Sequence, residues 1–177
     1  MMAIRILICL LLAGGFAVAK DELGILGQKA PAWDAKHWRN LPDDARSLDV
    51  ADYKGKVLYL YFFQSWCPGC HAHGFPTLKK LSDTFADDEA VAFVAVQTVF
   101  EGFLSNTPKR ALESLERHDL NVPVGHSGSK GKRSGMMRDY RSGGTPWTVI
   151  VDKAGVVRFN GFHIKAEDAA RLISTLR

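Results

Sequence analysis

Two cysteines three positions apart, Cys67 and Cys70, are the residues of this chain best suited to chemistry. The thiolate is the attacking species in disulfide exchange, so a reactive cysteine needs surroundings that favour its ionised form. The stretch Ser65-Trp66-Cys67-Pro68-Gly69-Cys70 meets that need if a strand ends and a helix begins there. The unpaired N–H groups and the positive end of such a helix lower the pKa of a thiol beside them. Cys67 is then the nucleophile that forms a mixed disulfide with a partner. Cys70, one turn into the helix and less exposed, resolves it. Pro68 limits the flexibility of the loop, and Gly69 is expected to supply backbone geometry that other residues resist. The same spacing is open to other chemistry. With His71 the pair reads C-x-x-C-H, the pattern of covalent haem attachment, and with His71 or His73 it offers soft ligands for a copper-type metal carrier.

The elements around the pair are those the thiolate argument requires. Lys56 to Phe63 is an apolar run rich in aromatic and branched residues, as in a buried strand, and it leads straight into the cysteines. Pro68 suits the first turn of a helix, and Phe75, Leu78, Leu81 and Phe85 keep helical spacing on one face through Ala86. Ala90 to Val99 reads as a second buried strand, which completes a strand-helix-strand unit with a parallel sheet. Thr107 caps a helix that opens on Pro108 and runs to about His118, followed by a short strand over 122–124. A short helix is expected over 136–140. Pro146 to Val151, the turn Asp152-Lys153-Ala154-Gly155, and Val156 to Phe162 form a hairpin. A helix over 166–176 closes the chain.

The N-terminus has its own pattern. Arg5 precedes an uncharged, mostly apolar stretch, Ile6 to Val18, too short to span a bilayer comfortably. Ala17-Val18-Ala19 then has the small-x-small form of a signal-peptidase site, so residues 1–19 are expected to be a signal peptide and 20–177 one domain. An uncleaved membrane anchor is the alternative; either way the bulk of the protein is exported, as to a bacterial periplasm. Cys9 falls inside the apolar stretch and carries no chemistry. Cleavage removes one of the four net positive charges, leaving too small a surplus for a dedicated nucleic-acid binder. Two remaining cysteines are too few for the disulfide framework of a small secreted scaffold. Ser129-Lys130-Gly131-Lys132-Arg133, with Arg138 and Arg141, is the densest positive region and reads as a solvated loop.

Taken with its position, the cysteine segment resembles the active-site turn of the thioredoxin superfamily. Gly143-Gly144-Thr145-Pro146-Trp147-Thr148-Val149-Ile150-Val151-Asp152 resembles the cis-proline segment and hairpin of its exported TlpA- and ResA-type reductases, and Gly27-Gln28-Lys29-Ala30-Pro31 their usual opening. The resemblance covers Gly27 to the C-terminus. It implies an α/β thioredoxin-like fold, a central mixed sheet flanked by helices, with a strand and helix inserted between the C-x-x-C helix and the cis-Pro hairpin. It further implies that Pro146 is cis and lies against the cysteines, that the Thr145 backbone holds an extended substrate chain, and that Trp66 shelters the pair, although Trp66 also suits a core position.

Two residues depart from the family pattern. His73 stands where many such reductases have a glutamate, three residues after the second cysteine, and Tyr61 stands where thioredoxins have a buried aspartate. His73 could take over as proton relay by meeting Cys70 on one helix face. A peroxiredoxin-like thiol peroxidase is the other enzyme reading, weakened because Gln64 and Leu60 replace the threonine and proline usual there. The expectation is a monomeric reductase of protein disulfides, needing no cofactor and no nucleic acid. It would be fed by a membrane or periplasmic redox partner and act in cytochrome maturation or thiol repair.

Overall fold

The computed structural model describes residues 23–42 and 44–177; the expected signal peptide lies outside the described residues. Six strands form one sheet in the order β1-β4-β3-β2-β5-β6. They are β1 (Lys36–Arg39), β2 (Val57–Phe63), β3 (Val91–Thr98), β4 (Val124–Ser127), β5 (Trp147–Val151) and β6 (Val157–Gly161). The helices are α1 (Phe75–Thr84), α2 (Pro108–Glu116), α3 (Gly135–Asp139) and α4 (Ala166–Leu176). β2 pairs in parallel with β3 and antiparallel with β5, so the sheet is mixed. Among the described residues no helix is long and apolar enough to cross a membrane.

The central strand β2 is buried along its whole length. Its alternate residues feed two cores, because successive side chains on a strand point to opposite faces. Val57, Tyr59, Tyr61 and Phe63 join Phe75, Leu78, Leu81 and Ile173 on one face. Leu58, Leu60 and Phe62 join Trp33, Trp38, Tyr140 and Trp147 on the other. At roughly 1.5–3 kcal/mol for each large apolar side chain fully buried, β2 is costly to displace. The loop that leaves its end therefore starts from a fixed point, and that loop carries the cysteines.

Between α1 and the β5-β6 hairpin stand β3, α2, β4 and α3, the expected insertion. The expected strand over 122–124 instead begins at Val124 and runs to Ser127. Pro123 gives its carbonyl to Ala95 and has no N–H to continue the ladder inward, while polar His126 and Ser127 are buried because Gln97 and Asp34 satisfy them. Strand β1 has a single buried residue, Trp38, and so leaves almost no apolar pattern to read. Trp38 lies across Gly125, where a Cβ would come within 2.9 Å of its ring.

Candidate active site

The segment after β2 is tied down by residues distant in sequence. The Ser65 N–H donates to Asn106 Oδ1 at 2.8 Å, its hydroxyl donates to the Arg110 carbonyl at 3.0 Å, and Asn106 Nδ2 donates to Gln64 Oε1 at 3.1 Å. Gln97 Nε2, from β3, donates to the Ser65 hydroxyl. The Cys67 N–H then closes a turn onto the Gln64 carbonyl at 3.1 Å. Helical backbone begins at Pro68, so Cys67 sits immediately before a helix N-terminus, as expected.

The helix leaves regular α geometry at Cys70. Cys70–Gly74 is a π-helical segment, in which the Phe75 N–H reaches the Cys70 carbonyl five residues back. Pro76 supplies a reason: it has no N–H for the Ala72 carbonyl, and its ring would collide with that carbonyl in regular α geometry. One extra residue in the turn relieves both faults, and such bulges are frequent at functional sites. Tyr61 projects from β2 beneath this turn, its Oη donating to the Cys70 carbonyl at 3.4 Å. A Cβ on Gly74 would lie 2.0 Å from that hydroxyl, so only glycine fits over Tyr61.

Both thiols are free, and the two are differently placed. Cys67 is 5 % exposed and Cys70 fully buried. The Cys70 N–H donates to Cys67 Sγ at 3.2 Å, and Cys67 Sγ lies 3.6 Å from the Thr145 carbonyl oxygen. A hydrogen bond with the Cys70 thiol, opposed by burial but joined by the Thr145 side chain, the Cys70 amide and the charge of His71, lowers the Cys67 pKa to about 6. Burial first, and then the neighbouring Cys67, push the Cys70 thiol far up. One sulfur is thus prepared to ionise first, and the other is held protonated until the first has reacted.

Thr145-Pro146 is a cis peptide bond, and the Pro146 ring faces the start of the helix. Gly69 has ordinary helical angles, φ −63° and ψ −32°, so the expectation that it supplies unusual backbone geometry is corrected. Its role is clearance, since a Cβ there would come within 3.3 Å of Pro146 Cδ. Trp66 is 46 % exposed and stands over Gly102, outside the core. His73 is exposed, with its ring centroid 5.8 Å from that of His163. Widening the turn from α to π geometry changes where a residue three positions on is presented, and the i, i+3 argument for His73 assumed a regular helix. His71 spends both ring nitrogens on protein partners, Ser65 and His118, which speaks against its use as a haem or metal ligand. Among the described residues no group of three or more His, Cys, Asp or Glu side chains forms a metal-binding set. Met136 is buried in the second core. Asn106, Gln97 and His118 escape sequence reasoning, because nothing local to them signals a partner 32 to 47 positions away.

Comparison with known proteins agrees with this geometry. The redoxin family model matches residues 25–171. The chain belongs to the redoxin family. It is 30 % identical over 141 residues to the thioredoxin-like protein YneN of Bacillus subtilis, covering 79 % of this chain and 74 % of that protein. It is 27 % identical over 160 residues to the thiol-disulfide oxidoreductase ResA of Oceanobacillus iheyensis, covering 86 % and 75 %. Its fold matches the crystal structure of the thioredoxin-like superfamily protein SPOA0173 with a TM-score of 0.75 and 34 % identity, over 84 % of this chain and 95 % of that one. The chain is a thioredoxin-like thiol-disulfide oxidoreductase of that superfamily.

Proposed function

We propose that this redoxin-family chain is an exported reductase of protein disulfides that works through a Cys67/Cys70 dithiol cycle. The observation that carries the reading is the division between the two sulfurs, one held near pKa 6 and the other buried and held protonated. The Cys67 thiolate attacks one sulfur of a partner disulfide, forming a mixed disulfide and releasing the partner's other sulfur as a thiolate, which takes a proton from water. Cys67 then carries no charge, and the influence that kept Cys70 protonated is gone. Cys70 attacks Cys67 Sγ, breaking the mixed disulfide, and its proton passes to the departing sulfur, which leaves as the second partner thiol. Two electrons have passed to the partner, and the Cys67–Cys70 disulfide awaits reduction by a membrane or periplasmic dithiol. On this reading an extended substrate chain lies beside the reacting sulfur, along the Thr145 carbonyl, which is 3.6 Å from Cys67 Sγ, and the Pro146 ring. Export rests on residues 1–19, with their single Arg5, apolar stretch and Ala17-Val18-Ala19 site.

The test is the reduction potential of the pair, measured by equilibration against glutathione or dithiothreitol with alkylation of free thiols and weighing of the products. A value near or below about −230 mV is expected for an electron-donating reductase; one above about −150 mV refutes it in favour of a disulfide donor.

A further inference from the structure

A second titratable cluster flanks the cysteines. His71 Nε2 lies 2.8 Å from the Ser65 carbonyl oxygen, and His71 Nδ1 lies 2.9 Å from His118 Nε2. A carbonyl only accepts, so His71 Nε2 carries a hydrogen whenever the first contact is made. In the neutral pair the second contact then runs from His118 Nε2–H to His71 Nδ1. One added proton leaves it intact, since either ring can be the donor once one of them is an imidazolium. A second added proton does not, because it sets two N–H groups head to head between two cations. The pair can therefore hold one extra proton but not two without coming apart.

Both rings are held in place. His71 belongs to the π-helical segment, and its N–H bonds the Cys67 carbonyl at 3.3 Å. His118 follows the C-terminal end of α2, and the Phe75 ring stacks on it with centroids 4.7 Å apart and planes 16° from parallel. The same Phe75 ring lies 5.2 Å from His71. We propose that His71 and His118 act as one positioning unit that holds a single shared proton beside Cys67, and that its charge adds to the contacts that favour the Cys67 thiolate. The inference rests on Cys67 being the nucleophile of the dithiol cycle.

The electrostatic surroundings agree. Burial first, then the charges of His71 and Arg117, hold His118 below the ordinary histidine range, which opposes a second proton. Among the charged groups around this corner, Lys79 of α1 pairs with Asp83 at 2.7 Å and with Asp119, the residue after His118, at 3.6 Å, while Arg117 faces His118. A charge at His71 acts on Cys67 as well as on His118, and favours the thiolate.

The test uses the reduced full-length chain, His71→Asn, and His118→Gln, which keeps a hydrogen-bonding partner for His71 but does not titrate. Histidine ring proton shifts are followed by NMR from pH 8 to pH 5, and Cys67 ionisation by the pH dependence of iodoacetamide alkylation mapped to the peptide. In the unmodified chain the two rings are expected to share one midpoint and take up one proton between them. His71→Asn is expected to lower the Cys67 thiolate-to-thiol ratio at pH 6 about threefold, the size expected for a unit charge one helical turn away in a largely aqueous field. In His118→Gln the shared midpoint is expected to be lost. Two rings that each take up a proton with separate midpoints overturn the shared proton, and a Cys67 profile unchanged in His71→Asn overturns its effect. A Cys67 that ionises like an ordinary cysteine in the unmodified chain overturns the dithiol reading itself, before any variant is compared.

Discussion

The lowered pKa of Cys67 predicts a specific pH dependence for its attack on a small neutral disulfide such as 2-hydroxyethyl disulfide. With a pKa of about 6, Cys67 is about nine-tenths thiolate at pH 7 and about one-tenth at pH 5, whereas an ordinary cysteine near 8.5 is about 3 % and 0.03 %. The thiolate advantage is therefore about 30-fold at pH 7 and about 300-fold at pH 5. Intrinsic nucleophilicity falls with pKa, and at a Brønsted coefficient of about 0.45 a drop of 2.5 units costs about 13-fold. The net advantage over free cysteine is then about twofold at pH 7 and about 20-fold at pH 5. Oxidation of the reduced chain, followed by quenching in acid and weighing, gives the rate, because first attack by Cys67 limits it while Cys70 waits alongside. A rate that keeps climbing through pH 8 with no plateau, or an advantage at pH 5 no greater than at pH 7, refutes the account of how the Cys70 thiol, the Thr145 side chain and the helix start stabilise the thiolate.

Two further outcomes follow from the same geometry. Gly74→Ala would place a Cβ 2.0 Å from Tyr61 Oη and 2.5 Å from Tyr61 Cζ, and urea unfolding is expected to show a loss of about 3 kcal/mol, at the upper end for overpacking. Adding Tyr61→Phe removes the nearer atom but leaves the ring carbon, so only part of the loss returns; a neutral Gly74→Ala would show that the π-helical turn can move off Tyr61. The second outcome concerns the stability of the reduced chain against pH. Cys67 has a folded pKa below its unfolded value, so its contribution is present above the unfolded value and is lost as pH falls through about 6. Cys70 has a raised folded pKa, so its contribution is lost as pH climbs past the unfolded range. Urea midpoints of the reduced chain are expected to rise from pH 6 toward pH 8 and to decline above about pH 9. Cys67→Ser should flatten the rising limb alone, and a rising limb that survives in this variant would assign it to other groups.

What was legible in the sequence was whatever is written in adjacent residues. The uniform apolar run of β2, the spacing of Phe75, Leu78 and Leu81, and the Asp152-to-Gly155 turn are local patterns, and each became the element expected. Strand β1 was not legible because an edge strand with one buried residue, Trp38, makes no alternation. The end of β4 was obscured for a related reason: His126 and Ser127 look like loop residues until Gln97 and Asp34 arrive to satisfy them. The π-helical turn did have a signal in Pro76, six positions after Cys70, where an uninterrupted helical spacing conceals the missing N–H.

The two kinds of information divide at the cysteines as well. The hexapeptide from Ser65 to Cys70 names the atoms that react, and it could be read at once. The contacts that set their reactivity come from Thr145, 78 residues from Cys67, from Asn106, 41 residues from Ser65, and from His118, 47 residues from His71. His73 becomes a relay candidate in the sequence only through its fixed offset, three residues after Cys70. In the structure His73 is exposed, Tyr61 reaches the Cys70 carbonyl and His71 meets His118. A fixed offset predicts a contact only while the helix between the two residues stays regular, and here Pro76 and Tyr61 jointly remove that condition.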